Sequence, residues 1–168
     1  MRKHFVVTLA LALGCIAANA QWTDPTVDVP AFHAAAPPKG EIQAPILHGA
    51  QLTGPGFQFP WQVKVYQEAA KIPNVLYQLP CYCRCDRALG HTSLRSCFSG
   101  MHGAECSTCA KEGHYAYMMT RKGWTPKQIR DGIERGDYQN IDLATLNKTP
   151  LTPEANQFRY SVGFLTIA

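Results

Sequence analysis

Between residues 81 and 109 the chain places six of its seven cysteines: Cys81, Cys83 and Cys85 alternate behind Pro80, Cys97 follows, and Cys106 and Cys109 close the stretch. His91 and His102 lie among them, and His114 comes just beyond. Large aliphatic side chains are scarce here, and simple packing is done as well by Val or Leu. Sulfur at this density therefore points to covalent, metal or redox chemistry.

Spacing narrows that chemistry. In an extended segment residues two apart face one side, so Cys81, Cys83 and Cys85 are expected to present three thiols on one edge, with Tyr82 and Arg84 turned away. Neighbours in such a row are poorly placed to bond each other, because a disulfide wants a near-perpendicular S–S torsion that a three-residue ring strains. The row must look outwards. Cys106 and Cys109 stand at i and i+3 of an expected helix start, on one face, where the helix N-terminus favours thiolate. Cys-x-x-Cys at a helix start is also a common half of a zinc site, with thiolates roughly 2.3 Å from a tetrahedral ion.

Three readings follow from the residues. In the first, the chain binds a soft metal, Zn(II) or Cu(I). Cys81, Cys83, Cys106 and Cys109 then hold one ion, Cys85 and Cys97 either close a disulfide or join the site, and His102 serves as an alternative ligand. In the second, three disulfides staple a small secreted helical domain. In the third, Cys106 and Cys109 exchange with a partner's thiols. His91 in a loop, and His114 with Met118 one turn later, have ordinary surface and core uses that outweigh ligand roles. No Ser-His-Asp order, phosphate loop or acid pair suggests hydrolysis or group transfer, so dithiol exchange is the one enzymatic option the residues support.

The elements that must position these residues are helical. Val65, Ala69 and Ile72 recur at helical spacing from Trp61 until Pro73, which stops or kinks that segment. Pro73 suits the first turn of a second short helix, with Val75, Leu76 and Leu79 as its buried side and Pro80 as its end. Leu89-Gly90-His91 reads as a turn, Thr92 or Ser93 as the cap of a short helix through Cys97 and Phe98, and residues 99–103 as a loop. A longer helix is expected from Glu105 to Lys122, ended by Gly123. Thr125-Pro126-Lys127-Gln128 has capping-box spacing with Pro at the first helical position; it starts a last helix through Arg135 with Ile129 and Ile133 as its buried stripe. The expectation is an all-α fold: a small cysteine-rich domain over 61–138, a disordered Pro-rich tether over 21–60 in which His33 and His48 are solvated, and a tail over 139–168 whose signals are mixed.

Residues 1–20 read as a secretory signal. Arg2, Lys3 and His4 precede the apolar run Phe5 to Ala17 and an Ala18-Asn19-Ala20 cleavage site. The rival reading is a lipid-attachment box at Leu13-Gly14-Cys15, where Leu13 is larger than such boxes usually carry. Export would bring the thiols into an oxidising compartment and leave six of them. It would also remove Arg2 and Lys3 with no acid, taking the formal charge from +4 to +2, a balance that gives no case for nucleic acid. No stretch approaches the roughly 20 apolar residues that a spanning helix needs.

The string Ile72-Pro73, Leu79-Pro80-Cys81-Tyr82-Cys83-x-Cys85, His91-x-Ser93-Leu94, Cys97-Phe98, His102-Gly103-Ala104-x-Cys106-x-x-Cys109 and Ile129-Arg130-Asp131 resembles the PCYC-motif (CYCXC) family of exported bacterial proteins. The resemblance covers Trp61 to Asp137 and carries over Cys81, Cys83, Cys85, Cys97, Cys106 and Cys109. It implies a secreted or lipid-anchored cysteine-rich domain. Selenoproteins among its members imply soft-metal or redox chemistry at the shared positions. Arg84 departs from it, since the family commonly has Gly there, and an L-residue disfavours the positive φ that a tight turn between Cys83 and Cys85 would use.

Overall fold

A computed structural model describes residues 24–148. The signal and lipid-box readings fall in 1–20 and the end of the tail in 149–168, outside the described residues. Among the described residues all regular structure is helical: α1 (Pro60–Ala69), α2 (Pro73–Tyr77), α3 (Cys85–Leu89), α4 (Leu94–Phe98), α5 (His102–Glu105), α6 (Ser107–Arg121) and α7 (Pro126–Glu134), with short 3-10 turns at Gly49–Gln51, Asp137–Asn140 and Leu143–Lys148. None of these helices is long and apolar enough to cross a membrane.

Local chemistry sets the boundaries. Pro60, Pro73 and Pro126 each occupy a first helical turn, where a missing N–H costs nothing. At the start of α7 the Thr125 hydroxyl accepts from Gln128 N–H at 3.3 Å while the Gln128 side chain accepts from Thr125 N–H at 2.9 Å, the reciprocal cap expected from the sequence. Helix α6 ends where Gly123 takes φ 84° and Trp124 N–H returns to the Met119 carbonyl. Two elements depart from the sequence expectation. His102 and Gly103, expected as the end of a loop, open the single turn of α5, and Glu105, expected to start the long helix, closes it; the last cysteine of the row, expected in an extended segment, starts α3.

Helix α6 is the centre of the packing and touches α1, α2, α4, α5 and α7. Val65, Tyr66 and Ala69 of α1, Leu76 of α2, Leu94 and Phe98 of α4, Ala110 and Ala116 of α6, and Ile129 and Ile133 of α7 form its dry core. Tyr66 meets Phe98 edge to face at 5.1 Å, and its hydroxyl donates to the Gly100 carbonyl. Two polar pairs are buried with them. Gln62 Nε2 donates to the Ala104 carbonyl at 2.9 Å, and His114 Nδ1 lies 2.6 Å from Glu68 Oε2.

The Pro-rich stretch has the irregular backbone its composition dictates, but from residue 24 onward it is laid along the helical domain as an arm. Pro30, Ile46 and Leu52 are buried, Leu47 N–H donates to the Phe98 carbonyl, and the guanidinium of Arg130 sits 4.4 Å over the Phe32 ring. His33, expected to be solvated, stacks on Tyr77 at 3.8 Å. At the other end Leu143 and Leu146 are buried, and the Leu143–Lys148 turn packs on α1.

Candidate metal centre

The first three cysteines are placed by a turn rather than by a strand. Arg84 N–H donates to the Cys81 carbonyl at 3.2 Å, and Arg84 itself takes φ 63°, ψ 29°, the left-handed conformation that turns the chain into α3 at Cys85. The sequence discouraged that turn because an L-residue strains there, by roughly 1–2 kcal/mol. Contacts from the arm hold it. Arg84 and Arg87 pair with Asp28 at 3.1 and 2.6 Å, Ala31 N–H donates to Asp86, and the Tyr82 hydroxyl donates to the Pro25 carbonyl. The turn draws Cys81 and Cys83 together instead of spacing them along an edge, with their sulfurs 3.4 Å apart.

The remaining candidate donor atoms come from three other elements. Cys97 lies on the buried side of α4. Cys106 is at once the residue that ends α5 and the N-cap of α6, and Cys109 is fully buried in the first turn of α6. Cys109 Sγ is 3.3 Å from Cys81 Sγ and 3.4 Å from Cys83 Sγ. Cys85 Sγ is 3.4 Å from Cys97 Sγ, which lies 3.4 Å from His91 Nδ1, and Cys83 Sγ lies 3.5 Å from His102 Nε2. All six thiols are free. Their spacing is well beyond the 2.05 Å or so of a disulfide. It is a little short of the about 3.8 Å that separates thiolates arranged tetrahedrally at 2.3 Å from one ion.

Three sets of four donor atoms each lie within 4.8 Å of one another: Cys81, Cys83, Cys85 and Cys109; Cys83, His102, Cys106 and Cys109; Cys85, His91, Cys97 and His102. A cysteine and histidine cluster within metal-binding distance is thus present, and every cysteine singled out from the sequence, with His102, belongs to it. The grouping differs from the expected one. Cys106 does not share a set with Cys81, whose partners are Cys83, Cys85 and Cys109, while Cys106 joins His102. Cys85 joins Cys81, Cys83 and Cys109 in one set and His91, Cys97 and His102 in another, while Cys97 shares no set with Cys81, Cys83, Cys106 or Cys109. His91, weighed in sequence as a loop histidine with an ordinary use, belongs to the third set because His91 N–H returns to the Cys85 carbonyl and carries the ring onto Cys97. His114 is committed to Glu68 and Met118 packs against the core.

So many thiols in one small volume do not all ionise. Hydrogen bonds from Cys106, then Cys109 and Cys81, hold Cys83 far below the usual thiol range, and those from Cys109, then Cys81 and Cys83, do the same for Cys85. Cys109 is pushed up, first by its hydrogen bond to Cys106 and then by those to Cys81 and Cys83. Burial pulls His91 and His102 down, but the sulfurs of Cys97 and of Cys83 outweigh it, so both imidazoles are raised. The arrangement sets cysteine sulfurs beside imidazole nitrogens, a donor set matched to soft cations.

Glu112 escaped the sequence reading although it carries a signal: it follows Cys109 by three residues and so shares that face of α6. Its carboxyl is fully buried behind the cluster. Oε1 accepts from Tyr82 N–H at 2.9 Å, Oε2 has no hydrogen-bond partner, and burial pushes the group well above the ordinary carboxyl range. It fixes the backbone of the Cys81–Arg84 turn to α6.

The chain belongs to a family described as proteins of unknown function with a PCYCGC motif, whose model matches residues 8–151. Here the motif reads Pro80-Cys81-Tyr82-Cys83-Arg84-Cys85, and Arg84, standing where the motif has glycine, is the sole non-glycine residue at positive φ among the described residues. No curated protein and no solved structure matches the chain.

Proposed function

From membership of the PCYCGC-motif family as premise, we propose that the chain is an exported module that binds a soft metal ion, Zn(II) or Cu(I), through clustered cysteine thiolates assisted by His102 and His91. The observation that carries this reading is the convergence of eight sulfur and imidazole donors into sets of four within 4.8 Å. Cys81, Cys83, Cys85, Cys97, Cys106 and Cys109 are the ligands, held by an irregular turn, three short helices and the start of α6. Export rests on the reading of residues 1–20 as a signal cut after Ala20, with the mature chain starting at Gln21.

One feature favours dithiol exchange as the competing reading. Cys106 is partly exposed at the N-terminus of a 15-residue helix with Cys109 buried one turn behind it, as an attacking and a resolving thiol would be. The two readings separate in one pair of measurements. The reduced mature chain, titrated with Zn(II) and with Cu(I) under a competing chelator, is expected to bind at least one of them tightly and to show no insulin-reducing activity. Insulin reduction that disappears in Cys106→Ser, with binding of neither metal, would replace the metal module by an oxidoreductase.

A further inference from the structure

The donor sets overlap. Cys83 and Cys109 belong both to the set completed by Cys81 and Cys85 and to the set completed by His102 and Cys106. A thiolate sulfur keeps lone pairs after it binds one ion and can bridge to a second, whereas a neutral imidazole nitrogen has one pair to give. A single ion bound by Cys81, Cys83, Cys85 and Cys109 would leave His102 and Cys106 converging beside two sulfurs that still have donor capacity. It would also leave His91 and Cys97 as a further pair beside Cys85. The donor capacity of the cluster exceeds one ion.

Burial divides the two sets. In the first only Cys83 is partly exposed, and Cys81, Cys85 and Cys109 are buried; in the second Cys83, His102 and Cys106 are all partly exposed and Cys109 alone is buried. An ion in the first set is walled in by protein on three ligands. One in the second faces the surface, where an incoming thiol or imidazole can displace a ligand.

We propose, resting on the metal-binding reading above, that the cluster holds at least two soft ions joined by the Cys83 and Cys109 sulfurs. The inner ion is completed by Cys81 and Cys85 and is retained; the outer ion is completed by His102 and Cys106 and exchanges. Bridging sulfurs 3.4 Å apart, each about 2.3 Å from both ions, set the ions about 3 Å from one another. The molecule then has one ion that completes the fold and one that can be handed to, or taken from, another carrier of thiolate or imidazole ligands.

The test uses the full mature chain, reduced and free of oxygen, loaded with Cu(I) and, separately, with Zn(II). Native mass spectrometry counts the ions, X-ray absorption reads metal–metal scattering, and a competing chelator removes the metal against time. Two or more ions per chain, a metal–metal distance of about 3 Å and removal in a fast and a slow phase are expected with at least one of the metals. His102→Ala and Cys106→Ser should each lose one ion and the fast phase while keeping the slow one. One ion per chain removed in a single phase with both metals overturns the two-ion site and leaves the metal module standing. Two ions without metal–metal scattering overturn the bridge, and no bound ion with either metal overturns both the site and the module.

Discussion

Arg84 shows how a single residue bears on the centre. Its left-handed backbone costs roughly 1–2 kcal/mol for an L-residue, and part of that is offset by the half-buried pair to Asp28, where such ion pairs contribute about 0–1 kcal/mol. Its guanidinium also lies 5.5 Å over the Tyr82 ring. Arg84→Gly removes the strain together with those contacts, and glycine adds freedom to the unfolded chain. Thermal unfolding should therefore place it within about 1 kcal/mol of the parent, with metal binding kept. Arg84→Val, β-branched at a positive φ, is expected to lose about 2 kcal/mol or more. If Val were tolerated as well as Gly, the turn would not depend on this conformation. Glu112 supplies a second test at the same scale. Burial raises its carboxyl above the ordinary value of 4.5, so the folded chain keeps a proton that the unfolded chain has already lost. The share of stability that Glu112 contributes in the reduced, metal-free protein should then fall as pH rises past that ordinary value, until the folded group ionises. Glu112→Gln should remove that share, so its urea midpoints followed across about pH 5 to 8 should slope more upward with pH than the parent's, and identical slopes would assign the pH dependence elsewhere.

At the scale of elements, the crossing of α4 with α6 sets the distance between Cys97 and the turn that carries Cys109. Gly113 makes that crossing close: a Cβ there would meet Phe98 Cζ at 2.5 Å, and Phe98 is fully buried. Gly113→Ala is expected to lose about 1–3 kcal/mol by overpacking, although alanine favours a helix interior over glycine by roughly 1 kcal/mol. A denaturant midpoint that rises instead would show that the crossing is loose. Helices such as α7 were legible in the sequence because Thr125, Pro126 and Gln128 announce a start by local chemistry, and Pro60, Pro73 and Gly123 mark boundaries in the same way. Helix α5 was not, because His102-Gly103 carries loop residues and its single turn is held from elsewhere, by the Gln62 side chain that donates to the Ala104 carbonyl. The cysteine row was misread for the same kind of reason: the turn at Arg84 is imposed by Asp28 and Glu112, which lie far away in sequence. That the cysteines cooperate was legible from their spacing. Which of them share a set, and that His91 joins, depends on how four elements meet, and periodicity within any one of them carries no record of it.

Across the whole molecule, the arm over residues 24–33 and the proposed metal centre meet on one segment. Residues 25–31 hold Tyr82, Arg84, Asp86 and Arg87, side chains of the very stretch that carries Cys81, Cys83 and Cys85. Removing residues 24–33 should loosen that stretch and weaken metal affinity by about tenfold or more, one decade being about 1.4 kcal/mol, with the helix content of circular dichroism nearly unchanged. Equal affinity would mean the centre is self-supporting. The ions are in turn expected to contribute much of the folding free energy, because small thiolate sites bind zinc with apparent free energies of about 10 kcal/mol or more. The most direct test is native mass spectrometry of the protein recovered from its own compartment, with thiols counted on the same sample. A mature chain starting at Gln21 is expected that carries metal, has six alkylatable thiols after chelation, and melts markedly lower once the metal is gone. A metal-free chain lighter than its reduced mass by six hydrogens, with no thiol to alkylate, would mean three disulfides and would contradict the metal centre outright.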